Sequence, residues 1–466
     1  MNRMVCWIFV CLIGAVVVVG VRPALAVEEG ADDSSAEPME QVAPLQEQRS
    51  GEDPGYSPSA VESEGGRAAA PQSLTFLECY RLALDRSEEL RIRDESIAQS
   101  KAKYQQALSG ILPRLSFKAT EFRQDASGSD TFTLRSRPSK YFMLSQPLFK
   151  GFKEFSAMTA IRAEELQHRL ERRRAEELLY LEVAEAFFAV ERHREESAIL
   201  QESERLAQER VAELQGRERL GKSRASEVAS AQAHLKSVQA DRAAVRGRLD
   251  AARELLGFLI GRSGDWETAG GSTGLRDDIA PSVKVYLAHL PERVDIQASN
   301  EAVTVARQEV RVAGADRWPS VTADANYYTQ REGFYEPIDW DATLTVTVPI
   351  FQGGQSAGAV KEAQSLAKQA ELVAEQAHRD AERDIRTAHA QAVSSRAEVE
   401  AFAQAVSAAE EDYRIQMEEY RLGLVNNLQV LEVLDRLQQA RRDLAEAHAR
   451  AHVDRVRLAV ATGGVS

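Results

Sequence analysis

Hydrophobic positions in the middle of the chain recur every three or four residues over unusually long stretches. About sixty residues from Phe155 to Leu214 contain no Pro or Gly, and Leu179, Val183 and Phe187 follow this spacing. At a rise of 1.5 Å per residue, the stretch predicts a helix roughly 90 Å long. Alanine is abundant between the larger apolar residues, which is typical of helices that approach each other closely in a coiled coil.

A second stretch of this kind runs from Ala357 to Leu422 and is interrupted only by Gly358 near its start. Two shorter helices are predicted over Leu74–Ser109 and Ser226–Leu259, each about half as long. Two short helices stacked end to end would match one long helix. The pattern as a whole predicts a mainly α-helical protein with hollow coiled-coil limbs.

Four segments show instead the two-residue alternation of β-strands, with one apolar and one polar face. Their apolar positions are Phe117 and Ala119, Phe142 and Leu144, Val321 to Tyr327, and Ala342 to Ile350. The strands have about the length of membrane strands, and the alternative is a pair of soluble hairpins packed on helices. Four strands cannot close a membrane barrel, because the smallest barrels have about eight. Closure would therefore require an oligomer.

The chain is a tandem repeat with an offset of 202 residues. The matching segments are Pro147–Gly151 with Pro349–Gly353, Arg219–Gly221 with Arg421–Gly423, and Gly261 with Gly463. Landmarks that return in the same order indicate a duplicated unit. The sequence predicts a first repeat at residues 74–261, a linker at 262–281 and a second repeat at 282–466.

The N-terminal part of the chain has the composition of a secretory signal followed by an acidic segment. Arg3 precedes the apolar run Val5–Gly20, and Pro23–Ala26 ends in small residues, so that residues 1–26 are predicted to be a cleaved signal peptide. An uncleaved anchor is disfavoured because the run is short for a membrane span. Residues 27–73 carry eleven acidic side chains against two arginines and are expected to be disordered.

Charge and cysteine content exclude several classes of protein. The net charge of −14 argues against nucleic acid as a partner. Cys79 is the only cysteine after the predicted signal, so no intrachain disulfide is expected. Lipidation of Cys11 is disfavoured because Ile8–Val10, just before it, lacks a small residue. No later stretch could cross a bilayer as a helix, so a membrane location would depend on the strands.

These features together resemble the TolC-like outer-membrane efflux protein family, over about Leu74 to Gly463. The motifs that carry the resemblance are Leu112–Leu115, Pro147–Gly151, Pro349–Gly354, Arg219–Gly221 and Tyr420–Val425. The resemblance implies a homotrimer in the outer membrane of a Gram-negative cell. Its twelve strands, four from each chain, would form one transmembrane β-barrel surrounded by outer-membrane lipid, and its helices an α-helical barrel across the periplasm.

The resemblance also implies a passive exit duct with no enzymatic activity and no cofactor. Its partners would be a periplasmic adaptor protein and an inner-membrane pump of the RND or ABC class. The duct would belong to a tripartite efflux or type I secretion system. The sequence does not specify the cargo or the pump class.

The turns between paired helices are the candidate docking tips for an adaptor. Glycine permits the sharp reversal between two helices, and apolar side chains surround it at an otherwise charged end. The predicted docking residues are Leu220, Gly221, Leu422, Gly423, Leu424 and Val425. Exposed leucines beside a glycine turn suit an adaptor's helical hairpin. The alternative is that they cap the coiled-coil seam.

The resemblance further implies that polar links near these tips hold the periplasmic mouth shut. Tyr420, Ser226 and Glu227 fall at the positions of such links, whereas Val425 replaces a polar residue and puts at least one link in question.

The pore-mouth residues suggested by the resemblance are Gln429 and Glu432, at i and i+3 on one helix face, and Asp435 one turn further. Because Gln429 is neutral, a trimer would carry three carboxylates in this ring rather than six, which predicts a weaker block by cations. The alternative is a solvated helix face without a role in conduction.

Two motifs imitate other kinds of site. Gly216–Ser223 matches the phosphate-loop pattern, which requires a preceding strand, whereas charged residues of a predicted helix precede it here. His448 and His452 have the i, i+4 spacing of metal ligands without a further ligand, so a solvated or pore-facing pair is predicted. Three other functions stay open. One is a secreted periplasmic coiled-coil scaffold. The second is a nucleotide-binding coiled-coil enzyme, which is disfavoured by the predicted signal peptide, and the third is an adaptor, which is disfavoured by the two equal repeats.

Overall fold

The computed structural model describes residues 72–123, 125, 136–264, 266–270, 273–275, 278–332 and 336–464. The helices are α1 (Phe76–Arg86), α2 (Glu88–Ser109), α3 (Lys153–Arg219), α4 (Ala225–Ile260), α5 (Val283–Leu287), α6 (Val294–Ala315), α7 (Gln355–Arg421) and α8 (Asn427–Ala461), with a 3-10 turn at Leu290–Glu292. The strands are β1 (Gln72–Leu74), β2 (Arg114–Arg123), β3 (Ser136–Lys150), β4 (Trp266–Thr268), β5 (Ser320–Arg331) and β6 (Trp340–Thr347). The prediction of a mainly helical protein is confirmed.

The predicted signal peptide and most of the acidic lead lie outside the described residues. The end of the lead needs a correction, because Gln72 and Ser73 belong to β1 and pair with Trp266 and Glu267 of β4 in parallel. Strand β4 itself lies inside the segment that the sequence assigns to the linker. This small sheet therefore connects the start of the first repeat with the segment that follows it.

The two long helices are structural twins at the offset seen in the sequence. Helices α3 and α7 are each 67 residues long, and both ends of α7 lie 202 positions after those of α3. Salt bridges show how the shorter helices lie along α3: Arg172 meets Asp94 of α2, and Glu204 meets Arg242 of α4. The predicted end-to-end stacking is confirmed, with α2 beside the first half of α3 and α4 beside the second.

The first predicted helix, Leu74–Ser109, is divided into α1 and α2 at Ser87. The φ and ψ angles of Ser87 are −55° and 115°, outside the helical region. Its hydroxyl accepts a hydrogen bond from the Leu90 backbone N–H at 3.4 Å. A serine that caps a helix in this way stabilises the start of α2 and ends α1.

The main hydrophobic core lies at mid-length of α3, where α1, β4 and the end of α8 pack against it. Phe76 and Phe187 are fully buried, and the Phe76 ring meets the Tyr180 ring edge-on at 4.9 Å. A second cluster surrounds Ile385 of α7, with Leu290 and Leu458 beside it. These clusters fix the repeats to one another in the middle of the molecule, far from the tips and from the four longer strands.

Removal of a core ring should therefore destabilise the whole helical body. A Phe187→Ala substitution leaves a cavity beside Phe76 and Phe188, whose rings lie 5.9 and 5.4 Å from it. We expect a loss of about 3–5 kcal/mol of unfolding free energy, measured by circular dichroism as a lower denaturation midpoint. Leu178→Ala, at a position on the same helix that is 48% exposed, is the control. Equal shifts in the two variants would contradict this assignment of the core.

The four longer strands form one antiparallel sheet in the order β2-β3-β5-β6, which joins the two repeats through β3 and β5. Register places the apolar positions on one face: Phe117 opposite Phe142, Phe142 opposite Tyr327, and Tyr327 opposite Trp340. The predicted separation of apolar and polar faces is confirmed.

Strand β6 is shorter than its alternating pattern suggests. It ends at Thr347, so that Val348 and Ile350, which the sequence places in the strand, lie beyond it. Pro349 lies between them and has no N–H to donate to a neighbouring strand. Among the described helices, none is both long and apolar enough to cross a membrane.

Candidate functional site

The tips are two tight reversals with the same geometry, one in each repeat. Gly221 and Gly423 have φ angles of 67° and 77°, the left-handed conformation that glycine adopts without strain. The Lys222 N–H donates to the Arg217 carbonyl at 2.8 Å, and the Leu424 N–H donates to the Glu419 carbonyl at 2.9 Å. This is the hydrogen-bond pattern of a helix ending in a left-handed glycine.

Three leucines project from these turns into solvent. Leu220, Leu422 and Leu424 are 72%, 75% and 71% exposed, and their role in docking stays a prediction. Val425 differs from them because it is only half-exposed. The tip therefore presents an apolar end on a pair of otherwise charged coiled coils.

The helices that follow the turns begin with matching caps, again 202 positions apart. In α8, the Gln429 side chain accepts from the Asn426 N–H at 3.0 Å, and Asn426 accepts from the Gln429 N–H. In α4, Glu227 accepts from the Ser223 hydroxyl and from the Arg224 N–H. The Ser223 hydrogen bond lowers the pKa of Glu227, and Arg224 adds to this shift.

Glu227 and Tyr420, two of the predicted link residues, are engaged in different hydrogen bonds in this protomer. Ser226 is exposed on the first turn of α4, and the Glu227 carboxylate is engaged in the cap. In the described part of the chain neither of them forms a hydrogen bond with Tyr420, which is 9% exposed on α7. Their role in closing a mouth stays a prediction.

Tyr420 lies in a cluster of charged and polar residues, the tip clamp, which we define as Arg210, Glu213, Arg217, Tyr420 and Asn427. The Arg210 guanidinium lies over the Tyr420 ring at 3.8 Å, and Arg217 lies over it at 4.8 Å. Arg217 also donates to the Tyr420 hydroxyl at 3.0 Å. A cation over an aromatic ring is stabilised by about 2 kcal/mol when the pair is desolvated.

The tip clamp joins the two helical hairpins of one protomer. Arg210 of α3 donates through Nε to the Asn427 Oδ1 of α8 at 2.7 Å, and both residues are buried, at 7% and 2% exposure. Glu213 accepts from Arg210 and from Arg217, each at 2.7 Å. One carboxylate thus neutralises part of the charge of two guanidiniums, so the arrangement depends on all of these partners.

The predicted pore-mouth residues lie on one exposed stripe of α8. Gln429, Glu432 and Asp435 are exposed, whereas Val430 and Leu434 on the opposite side are buried.

Asp435 differs from Glu432 because it has a partner within the protomer. Its carboxylate lies 3.4 Å from His234 of α4. Neighbouring side chains partly shield the exposed Asp435 carboxylate from water, which raises its pKa, and His234 opposes that shift. Glu432 is therefore the better candidate for a carboxylate that acts on ions in the mouth.

Comparison with known proteins decides the family. A sequence model of outer membrane efflux proteins matches residues 79–262 and 286–464, which covers both repeats. The chain belongs to the outer membrane efflux protein family. Among curated protein sequences, none matches this member of the family significantly.

Solved structures show that this efflux protein shares the fold of known outer-membrane channels. CusC superimposes with a TM-score of 0.76 at 20% identity, over 84% of this chain and 92% of that one. VceC from Vibrio cholerae gives 0.73 at 20% identity, over 84% and 96%. CmeC from Campylobacter jejuni gives 0.74 at 18% identity, over 84% and 85%.

The motifs that imitate other sites do not form them in this efflux protein. Gly216 lies inside α3, so a helix rather than a strand precedes the Lys222-Ser223 pair, as the sequence predicts. The prediction for the histidine pair is wrong in part, because His452 is half-buried and stacks on Phe188 at 4.7 Å. His448 is exposed. No cluster of three or more potential metal ligands occurs in the described residues.

Sequence reasoning missed Arg210 and Asn427, the buried pair of the clamp. The spacing along α3 could have indicated Arg210. It lies three residues after Ala207 and four before Leu214, which are buried in the coiled-coil interface at 1% and 0% exposure. An arginine at a seam position requires partners. Its partner Asn427 is 217 positions away and cannot be found from local pattern.

Proposed function

We propose that this protein is the outer-membrane exit duct of a tripartite efflux or type I secretion system. It would act as a passive conduit that opens when a periplasmic adaptor and an inner-membrane RND or ABC pump engage it. The proposal is carried by one observation. A sheet with one apolar and one polar face leads directly into two long helical hairpins, and each hairpin ends in an apolar tip. Membership of the outer membrane efflux protein family supports this location.

The sheet supports a homotrimer because it is open at both edges. Strands β2 and β6 each pair on one side only in the described structure. Three copies would supply twelve strands, more than the roughly eight of the smallest membrane barrels. Pairing of β6 with β2 of the next copy would close the barrel.

Side chains on the two sheet faces suit such a barrel. Leu344 and Val346 on the apolar face are 64% and 58% exposed in one protomer. Thr343 and Thr345 alternate with them and point to the other face, toward the lumen of the proposed barrel. A lipid-facing band and a polar interior both follow from this alternation.

A gel experiment tests the trimer. The full-length chain is expressed in a Gram-negative host, and the outer-membrane fraction is run with and without boiling. We expect a band near three times the monomer mass that collapses to the monomer on boiling. A monomer or dimer in the soluble periplasmic fraction would instead favour a secreted coiled-coil scaffold.

Glu432 should determine how divalent cations affect conduction. In the trimer, three Glu432 carboxylates would form a ring, and such a ring attracts cations. A Glu432→Gln variant in planar bilayers should lose most of the block by Mg²⁺ that the parent channel shows. Asp435→Asn serves as the comparison, with a smaller expected effect because His234 already contacts Asp435. Unchanged divalent sensitivity in Glu432→Gln would refute the carboxylate ring.

A further inference from the structure

A β-bulge interrupts the pairing of β3 with β5 near the end of the sheet that points away from the helices. Tyr141 lies opposite Tyr328, whereas the preceding residue, Lys140, lies opposite Gln330. Thr329 is therefore an extra residue in β5, and its hydroxyl donates to the Lys140 carbonyl at 3.1 Å. A bulge of this kind changes the face to which the following side chains point.

The bulge places Tyr328 and Arg331 on the same face of the sheet, although three positions separate them. Tyr328 lies opposite Tyr141, and Arg331 lies opposite Ser139. Because alternate residues of a strand share a face, Tyr141 and Ser139 fix both side chains to one side. In a regular strand the two would point to opposite faces. As a result, the Arg331 guanidinium lies over the Tyr328 ring at 4.1 Å.

Neighbouring strands hold this arginine and its ring in place. The Asp341 carboxylate of β6 lies 3.6 Å from Arg331 and accepts a hydrogen bond from the Asn326 amide at 2.8 Å. The Tyr141 ring lies 5.1 Å from the Tyr328 ring, with an angle of 39° between the ring planes. Since Asp341 neutralises Arg331, these contacts build a pair of tyrosine rings without net charge.

The tyrosine pair lies on the polar face, toward the lumen of the proposed barrel. Asp341, which belongs to the same cluster, shares its face with Thr343 and Thr345 of β6. Tyr141 and Tyr328 are half-buried, so part of each ring remains accessible. A trimer would therefore place three copies of the tyrosine pair around one lumen.

Lys118 borders the tyrosine pair on its other side. It is exposed and lies opposite Tyr141, on the side away from Tyr328. Within the described residues its ammonium forms no ion pair and no hydrogen bond. The Tyr141 ring thus has an aromatic ring on one side and a cation on the other.

The surroundings of Lys118 supply no carboxylate to neutralise it within the described protomer. Its neighbours on this face of β2 and β3 are Ser116, Thr120, Ser139, Tyr141 and Met143. Nearer the helices, the next charges on this face are Arg114 and Asp324, which have opposite signs. The site therefore combines two accessible aromatic rings with one positive charge, which suits a ligand that is both aromatic and anionic.

We propose that Tyr141, Tyr328 and Lys118, which we call the luminal aromatic site, bind planar aromatic carboxylates or sulfonates that pass through the barrel. The ring of the ligand would stack on Tyr141, and its anionic group would meet the Lys118 ammonium. Arg331 and Asp341 position Tyr328. The proposal rests on the proposed function, because the polar face becomes a lumen only when the sheets of three protomers close.

Block of single channels by a small aromatic anion tests the luminal aromatic site. The full-length protein is reconstituted into a planar bilayer, and naphthalenesulfonate is added to both sides. Cyclohexanesulfonate, which carries the same charge without an aromatic ring, is the reference ligand. We expect naphthalenesulfonate to reach half-block at a concentration about tenfold lower than cyclohexanesulfonate, because only the aromatic ligand can stack.

Matched variants assign the block to this site. Lys118→Gln and Tyr141→Leu should each raise the half-blocking concentration of naphthalenesulfonate about fivefold, whereas Tyr141→Phe keeps the ring and should retain the block. Lys140→Gln and Tyr327→Leu are the controls. Lys140 lies opposite Ala119 and Tyr327 lies opposite Phe142, so both project from the apolar face of the same part of the sheet. Neither control should change the half-blocking concentration.

The outcomes separate the site from the duct. Absence of openings from the parent protein without ligand would overturn the proposed function and the site with it. Openings that both sulfonates block equally would overturn the site and leave the duct intact. An equal change in Lys118→Gln and Lys140→Gln would show a general effect of charge and would also overturn the site. Preferential block that Lys118→Gln and Tyr141→Leu remove and the two controls keep supports it.

Discussion

Replacing Arg210 by leucine should release the tips and raise the conductance of the reconstituted channel several-fold. The substitution removes the cation over the Tyr420 ring and leaves the buried Asn427 oxygen without its donor. An unpaired buried polar group costs about 1–3 kcal/mol, and each 1.4 kcal/mol changes a conformational equilibrium by roughly a factor of ten. If the tip clamp holds the mouth narrow, its loss shifts the population toward wider states.

The same helix offers a matched control for this experiment. Arg205 is 53% exposed at its side chain and pairs with Glu202 and Glu209 of its own helix, so Arg205→Leu removes the same charge without removing a member of the clamp. Arg210→Lys should give an intermediate conductance, since lysine keeps the charge but loses the guanidinium fork. Equal conductance in Arg210→Leu and Arg205→Leu would show that the clamp does not restrict the mouth.

A double Leu422→Asp and Leu424→Asp variant should abolish export while the channel itself remains intact. Burial of a leucine side chain at an interface contributes about 1.5–3 kcal/mol, so two lost contacts weaken adaptor binding by roughly a hundredfold or more. An aspartate placed in the same contact adds a cost of desolvation. Folding should be unaffected, because both leucines are more than 70% exposed in the protomer.

Two measurements test whether the double variant loses adaptor docking. Photo-crosslinking between the tip and the adaptor in cells should fall to background, and export of cargo should fall with it, while single-channel conductance is kept. Leu428→Asp, at a position that is 56% exposed on the first turn of α8, is the control and should retain crosslinking. Export at the parent level in the double variant would refute docking through these leucines.

Much of this fold follows from local pattern and from the repeat. The uninterrupted periodicity predicts a long helix from Phe155, and α3 begins at Lys153. The shared offset of 202 relates the bounds of α7 to those of α3, because related repeats fold into similar units. The break at Ser87 was missed although a signal was present. Ser87 precedes Glu88 and Glu89, the composition of a helix start, inside a pattern that otherwise continues.

The remaining features depend on contacts between distant parts of the chain. The pattern of its own helix predicts a solvated His452, but in the folded protein the His452 ring stacks on the Phe188 ring of α3. Arg210 reaches Asn427 only because two hairpins from different repeats lie side by side. The left-handed conformation of Phe152 likewise cannot be predicted from the residues around it. Only Gly354, at the twin position in the second repeat, indicates a left-handed turn.

Single-channel recording tests the central claim of an outer-membrane duct most directly. The full-length protein is purified from outer membranes and added to a planar lipid bilayer. We expect discrete, cation-selective openings whose block by Mg²⁺ depends on Glu432. A protein that is recovered from the soluble periplasm and gives no openings in the bilayer would contradict it.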